Sequence, residues 1–195
     1  MKDIVLASGS PRRREILTNL GLDFDVFISE ADEESINPAG ISVGVYVQEL
    51  AILKASAAAK LITGEDVLII AADTVVALGD KIYGKPKDEE DAKSMLLELS
   101  GKCHSVFTGI CVMSAKNAHS ICAAVETKVY FKELSEEKIE RYVRTKEPLD
   151  KAGAYGIQGK GALLVDKIDG DYLNVVGLPA GKLFEILEEF GYVLD

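Results

Sequence analysis

Residues 4–17 read IVLASGSPRRREIL. Ile4, Val5 and Leu6 form an apolar run short enough for a buried strand, and a Ser-Gly-Ser turn follows it. Ser10 then offers helix-cap chemistry, and Pro11 suits the first helical position, where no N–H partner is lost. Ile16, Leu17 and Leu20 share one helical face, and Gly21 suits its C-terminal stop. The stretch predicts a strand–turn–helix unit, the building block of an α/β chain. It also holds an anomaly. Arg12, Arg13 and Arg14 crowd a first turn where the helix dipole disfavours cations by a few tenths to ~1 kcal/mol each. A negative partner at that turn would resolve it.

Along the rest of the chain, strand-like and helix-like segments alternate. Phe24–Ile28 reads as a second strand, and the acidic loop SEADEESINPAG (29–40) leads to a long helix from Ser42 to Leu61. VLIIAADTVVAL (67–78) is strand material interrupted by one charge, Asp73, and LGDKIYGK (78–85) has the look of a hairpin and return. Asp88 caps a helix that ends at Gly101, with acids in its first turn. Ser105–Ser114 and Ser120–Phe131 read as antiparallel partners, and Ser135 starts a helix through Thr145. A glycine-dense loop at 153–161 precedes two short strand candidates, Ala162–Ile168 and Tyr172–Val176. Pro179 opens a last helix that Gly191 closes. The pattern predicts a mixed sheet with helices around it.

The 195 residues are 48% hydrophobic, enough for one domain or two closely packed lobes. A net charge of −10 argues against a general nucleic-acid or membrane-surface binder, which needs a basic field. Against that acidic background the arginine cluster reads as a site. Three cysteines, Cys103, Cys111 and Cys122, form no CxxC pair and fit reduced thiols in a cytosolic protein. His104 and His119 lack zinc-finger spacing and read as buried or incidental side chains. No signal-peptide pattern and no membrane-length apolar run is present, so the expectation is a soluble, cytoplasmic protein.

Several constellations can carry chemistry. Ser8-Gly9-Ser10-Pro11 between strand and helix offers hydroxyls and backbone N–H groups to a phosphate, and arginine forks match phosphate oxygens. The alternative is a capped surface helix with solvated arginines, and a Walker loop is absent. Asp73 is costly to bury unless paired, hydrogen-bonded or metal-bound, and the alternative is a turn aspartate in water. Metal-bound, it suits Mg2+ or Mn2+; metal-free, it suits a general base on water. Lys54 falls within the apolar stripe Val43, Val47, Leu50, Ala57 and Leu61, where a snorkelling lysine is the plainer reading. Lys85 sits in the Gly/Pro turn YGKPK and can point into a cleft. In EPLDKAGAYGIQG (147–159) the glycines let backbone approach a ligand. Asp150, Lys151, Tyr155 and Gln158 add hydrogen-bonding groups: Gln can pair with a base edge, and Tyr can stack on or cover a ring. Glu30, Asp32, Glu33 and Glu34 are either a solvated run or a holder of a divalent cation beside a polyphosphate.

The ordered set LASGSPRRREIL, AADTVV, GKP, LSGKCHSVFTG, EPLDKAGAYGIQG and VVGLP closely resembles the Maf family of nucleoside triphosphate pyrophosphatases, and it runs from Leu6 to Pro179. The resemblance implies one Maf-like domain over 1–195. Its fold would be α/β, an elongated mixed sheet flanked by helices, with two lobes sharing that sheet around a central cleft, related to the inosine triphosphate pyrophosphatases. It implies cleavage between the α- and β-phosphates with a divalent cation, Mg2+ or Mn2+. Carried over by motif, Ser8, Arg12 and Arg13 belong to a phosphate-binding loop, and Glu33 helps to bind metal, with Asp32 and Glu34 as neighbouring candidates. Lys54 and Lys85 face the phosphates. Asp73 is the catalytic acid, acting as general base or metal ligand, and Gln158 is a substrate-site glutamine. Arg14 matches no functional position.

The segment DKAGAYGIQG resembles the branch that prefers dTTP and UTP, including some modified pyrimidine nucleotides, over the branch that acts on 7-methyl-GTP. The implied role is pool cleaning, with a nucleoside triphosphate as substrate. A nucleotide-sensing regulator of cell division or septum formation is the alternative, and a homodimer is the family expectation. No Ser, Cys or His nucleophile is required for attack by water.

Overall fold

The structure is a computed structural model that describes residues 3–28, 30–62, 64 and 66–193; Ser29, the first residue of the quoted acidic loop, lies outside them. Strand β1 (Asp3–Leu6) buries Ile4, Val5 and Leu6, as a strand covered on both faces must. It runs parallel to β2 (Asp25–Val26) on one side. On the other it runs parallel to β3 (Val67–Leu78), with Ile4 opposite Leu68 and Leu6 opposite Ile70. The remaining strands are β4 (Lys81–Tyr83), β5 (Cys103–Ser114), β6 (Ser120–Phe131) and β7 (Val165–Asp169). Together they make a seven-stranded sheet in the order β2-β1-β3-β5-β6-β7, with β4 paired to β3. Because β4 and β7 pair antiparallel with their neighbours, the sheet is mixed.

The helices are α1 (Pro11–Asn19), α2 (Val43–Ala59), α3 (Glu89–Leu99), α4 (Glu136–Val143), the short α5 (Tyr172–Val176) and α6 (Ala180–Glu189). Three of them begin with a side-chain cap: Ser42 accepts from the Val45 N–H, Asp88 from Asp91 and Ser135 from Lys138. Each such cap is worth ~1 kcal/mol. Ser10 is different. It has the extended backbone of a cap residue, but its hydroxyl makes no bond to the α1 amides. The start of α1 therefore carries neither a side-chain cap bond nor an acid in its first turn.

Two compact units are built on these strands. The first comprises Met1–Asp73, Thr108–Val125 and Gly177–Asp195. Its α2 packs Ala51, Ala55 and Ala58 against Ile69, Ala71, Cys111 and Met113. The approach is close at Gly109, where a Cβ would stand 2.1 Å from the Val47 carbonyl oxygen, so no other residue fits there. The second unit, Thr74–Phe107 with Glu126–Val176, buries Leu96, Leu99, Ile139 and Val143 with the aromatics Phe131 and Tyr155.

Several sequence expectations change. The strand expected over Phe24–Ile28 shrinks to Asp25–Val26, because β1 ends at Leu6 and offers no ladder beyond the Phe27 N–H bond to the Leu6 carbonyl. Leu61 is 68% exposed and leaves the buried stripe, since α2 stops at Ala59. Strand β3 runs unbroken through Asp73. The strand candidate at Ala162–Ile168 begins only at Val165, after a 3-10 turn at Gly159–Leu164. Tyr172–Val176 is helical. There Asp171 Oδ1 accepts from the Leu173 N–H, and buried Asn174 donates to the Val106 carbonyl and to Thr127 Oγ1, which outweighs the β preference of Val175 and Val176.

Candidate active site

Parallel pairing fixes where the polar residues gather. β1 and β2 run in the direction of β3, so the turn at 7–10 and the loop that leads to Glu33 leave from the same end. β3 continues past Ile70, the partner of Leu6, and carries Asp73 beyond that end. The carboxyl ends of parallel strands are where open α/β sheets receive ligands.

Asp73 follows Ile69 and Ala71 at two-residue spacing, so its side chain leaves the sheet on the face that α2 covers. α2 meets it with Lys54, four residues after Leu50 and four before Ala58. Lys54 Nζ lies 2.5 Å from Asp73 Oδ1 and 3.1 Å from Glu33 Oε1. The lysine and aspartate side chains are 18% and 14% exposed, and that of Glu33 is 53% exposed. At an effective dielectric near ~20 a contact pair gains on the order of 4 kcal/mol. That is comparable with the several kcal/mol an ion loses on leaving water. The Lys54–Asp73 pair therefore roughly breaks even, and stability alone does not explain a lysine in an alanine stripe. Of the acids at 30–34, Glu33 reaches this ammonium; Asp32 and Glu34 are exposed.

The arginine turn joins the same neighbourhood. Arg13 donates from Nε to the Gly177 carbonyl at 2.8 Å and from Nη1 to Ser8 Oγ at 3.1 Å. Ser8 Oγ also accepts from the Ser10 N–H at 3.2 Å. With two bonds accepted, the Ser8 hydroxyl keeps its proton to donate. Desolvation is the largest influence on Arg13 and holds its pKa below the usual guanidinium value, opposed by the field of Asp73. The charge of Arg12 lowers it further and that of Glu33 opposes. Arg12 and Arg13 are half-buried, and Arg14 is exposed.

Tyr46, on α2, escaped the sequence reading. Its hydroxyl pKa is raised, first by desolvation and then by the charges of Asp73 and Glu33, so it lies within the field of the same carboxylates. The i, i+4, i+8 spacing of Tyr46, Leu50 and Lys54 was the available signal.

Ser8, Arg12, Arg13, Glu33, Lys54 and Asp73 thus fall within the first unit. Lys85 and Gln158 belong to the second. Lys85 is exposed in the turn after β4, and Gln158 is half-buried with extended backbone just before the turn at Gly159–Leu164. Tyr155 is not available to cover a ligand ring. It is 4% exposed, its hydroxyl lies 2.8 Å from His104 Nε2, and its ring meets Phe131 edge-on. Lys151 pairs with Asp150 at 2.6 Å, which accounts for two more polar groups of that loop.

His104 is buried, and desolvation pushes its pKa down to about 4. His119 is exposed against Phe190. Among the described residues no three His, Cys, Asp or Glu side chains gather as a metal site. Glu33 and Asp73 do converge on one ammonium. Two carboxylates completed by phosphate oxygens and water are a donor set that Mg2+ accepts, so these residues fit a hard divalent cation.

Residues 3–190 match the family model described as Maf-like protein. A protein of Acetivibrio thermocellus named dTTP/UTP pyrophosphatase is 50% identical over 98% of this chain and 96% of its own length. Proteins of the same name from Clostridium novyi and Pelotomaculum thermopropionicum are 48% and 47% identical, over 96% and 98% of this chain and 97% and 98% of theirs.

Proposed function

The chain belongs to the Maf-like family, and we propose that it is a nucleoside triphosphate pyrophosphatase that hydrolyses dTTP and UTP to the monophosphate and pyrophosphate. The observation that carries this reading is the convergence of Asp73 and Glu33 on Lys54 beside the Ser8–Arg13 pair, at the carboxyl ends of parallel strands. Four strongly interacting charges and a hydroxyl donor suit a polyphosphate, whose charge satisfies the helix start and the guanidinium groups together.

In this reading Ser8 donates its proton to a phosphate oxygen, and Arg12 and Arg13 offset phosphate charge. Lys54 holds Asp73 through Oδ1, and Oδ2 accepts a proton from the attacking water. The water oxygen bonds to the α-phosphorus, the bridge to the β-phosphate breaks, and pyrophosphate leaves with charge offset by Lys54 and Lys85. Gln158 contacts the substrate. Glu33 and Asp73 would hold the divalent cation, Mg2+ or Mn2+, which when bound supplies further neutralisation of the polyphosphate. We assign the activity to nucleotide-pool cleaning in the cytoplasm and the protein to a homodimer. The acidic net charge supports a small-molecule substrate over nucleic acid, and no helix among the described residues is long and apolar enough to cross a membrane.

The test is pyrophosphate release from a panel of ordinary and modified triphosphates with Mg2+, Mn2+ or chelator. The expected result is metal-dependent turnover led by dTTP and UTP. No turnover with either cation, or 7-methyl-GTP far outrunning both pyrimidines, overturns the reading.

A further inference from the structure

Within the second unit, one carboxylate gathers the glycine-rich loop around itself. Glu147 Oε1 accepts from the Gly161 N–H and the Tyr142 hydroxyl, both at 3.0 Å, and Oε2 accepts from the Lys160 N–H at 3.1 Å. The Tyr142 hydroxyl accepts in turn from the Gly156 N–H at 3.3 Å. The loop is thus gripped on both sides of Gln158, at Gly156 and again at Lys160 and Gly161.

The fit leaves no slack. A Cβ at Gly161 would stand 2.2 Å from the Gly156 carbonyl oxygen and 2.6 Å from the Tyr142 hydroxyl. Gly159 has φ +64°, and a Cβ there would lie 3.0 Å from Glu147 Oε2. Lys151 anchors the near side by donating to the Glu147 carbonyl at 2.5 Å. Burial pushes the Glu147 pKa up, but the amides of Gly161 and Lys160, the Tyr142 hydroxyl and the Lys151 charge together bring it below the usual carboxylate value.

We propose that Tyr142 and Glu147 are positioning residues that fix the Gln158 loop and thereby set the base selectivity of the enzyme. The proposal rests on the reading of Gln158 as a substrate contact. A glutamine amide presents one donor and one acceptor. In one orientation these match the O4 and N3–H of uracil or thymine; turned over, they match the N3 and N4 amino group of cytosine. A choice between these bases requires the amide to be held in one place as well as one orientation, and the grip at Gly156, Lys160 and Gly161 fixes the place. Buried polar groups left unpaired by the wrong base are what make such a choice steep.

The test compares Glu147→Gln, Tyr142→Phe and Gln158→Ala in the full chain, with UTP and CTP as substrates. Glu147→Gln keeps the shape but replaces one acceptor oxygen by an NH2, which cannot accept from an amide. Tyr142→Phe keeps the ring and loses only the hydroxyl, so it serves if the glutamine variant fails to fold. Loss of such bonds is expected to raise KM for UTP about tenfold with kcat changed about twofold or less, and to lower the UTP/CTP ratio of kcat/KM. Either variant placed on Gln158→Ala is expected to add little, because both act through that side chain. A wild-type enzyme inactive on UTP and dTTP refutes the functional reading itself. Activity with an unaffected Gln158→Ala, additive double variants, or a fall in melting temperature with KM and the UTP/CTP ratio unchanged each refutes the positioning role.

Discussion

Asp73 and Glu147 are both carboxylates drawn partly out of water, and they are satisfied in opposite ways. Asp73 meets the ammonium of Lys54, a compact charge on a flexible stem that Glu33 also touches. Glu147 meets two backbone amides and a phenol, dipoles fixed in the chain that cannot exchange for anything else. A counter-ion can be shared with an incoming polyphosphate, whereas an amide cradle holds one shape. The first arrangement suits chemistry and the second suits scaffolding.

Asp73→Asn separates the two carboxylates most sharply. The amide retains an acceptor for Lys54 but cannot take a proton from water. Turnover of dTTP is expected to fall about a thousandfold, within the range that a general base supplies. The substitution leaves the Lys54 ammonium with only the more exposed Glu33 as counter-charge, so the melting temperature is expected to fall by a few degrees while the chain stays folded. Steady-state pyrophosphate release and a thermal melt measure both. Retained turnover, or unfolding at the assay temperature, would make Asp73 scaffolding as well.

The scaffold side has its own sensitive group. His104 lies buried with Nε2 on the Tyr155 hydroxyl, and among the described residues its Nδ1 has no partner. Its pKa is near 4 in the fold against 6.5 for the free side chain. Between those values the unfolded chain binds the proton and the folded chain does not. Stability is therefore whole above pH 6.5 and falls as pH drops toward 4, by about 3 kcal/mol from this group. Urea unfolding at stepped pH, compared with His104→Gln, isolates the contribution. Equal slopes in the two proteins would remove His104 from the scaffold's pH dependence.

What could be read without coordinates follows the range of the interactions. The strand–turn–helix at 4–17, the cap at Asp88 and the helix starts at Ser42 and Ser135 are local and legible. The convergence of Lys54 and Asp73 is half legible: the sequence marks Asp73 as a costly charge but reads Lys54 as a snorkelling lysine unless the family resemblance is added, and strand direction with side-chain parity brings the two together. Glu147 was not legible as a hub, because its partners Lys160 and Gly161 return 13 and 14 residues later by a turn that no local rule predicts. Tyr155 misled for the same reason, since its partners His104 and Phe131 lie on β5 and β6. Tyr172–Val176 read as a strand because its helical form depends on Asn174 reaching Val106 and Thr127.

The smallest effect comes from dissecting the arginine triple. Arg13 makes two directed bonds, to the Gly177 carbonyl and to Ser8, that a single ammonium cannot reproduce together. Arg13→Lys is therefore expected to raise KM about tenfold and to cost about 1 kcal/mol of stability. Arg14 is exposed in the same turn and carries its charge against the helix dipole. Arg14→Ala removes that opposition and adds the better helix former, so it is expected to stabilise by a few tenths of a kcal/mol at low salt. Its turnover is expected to stay within about twofold of wild type, as for a surface residue away from the site. The gain is expected to shrink in high salt, where an exposed charge is screened. A loss of stability in Arg14→Ala, or a rise in KM like that of Arg13→Lys, would mean that the third arginine also answers the phosphate.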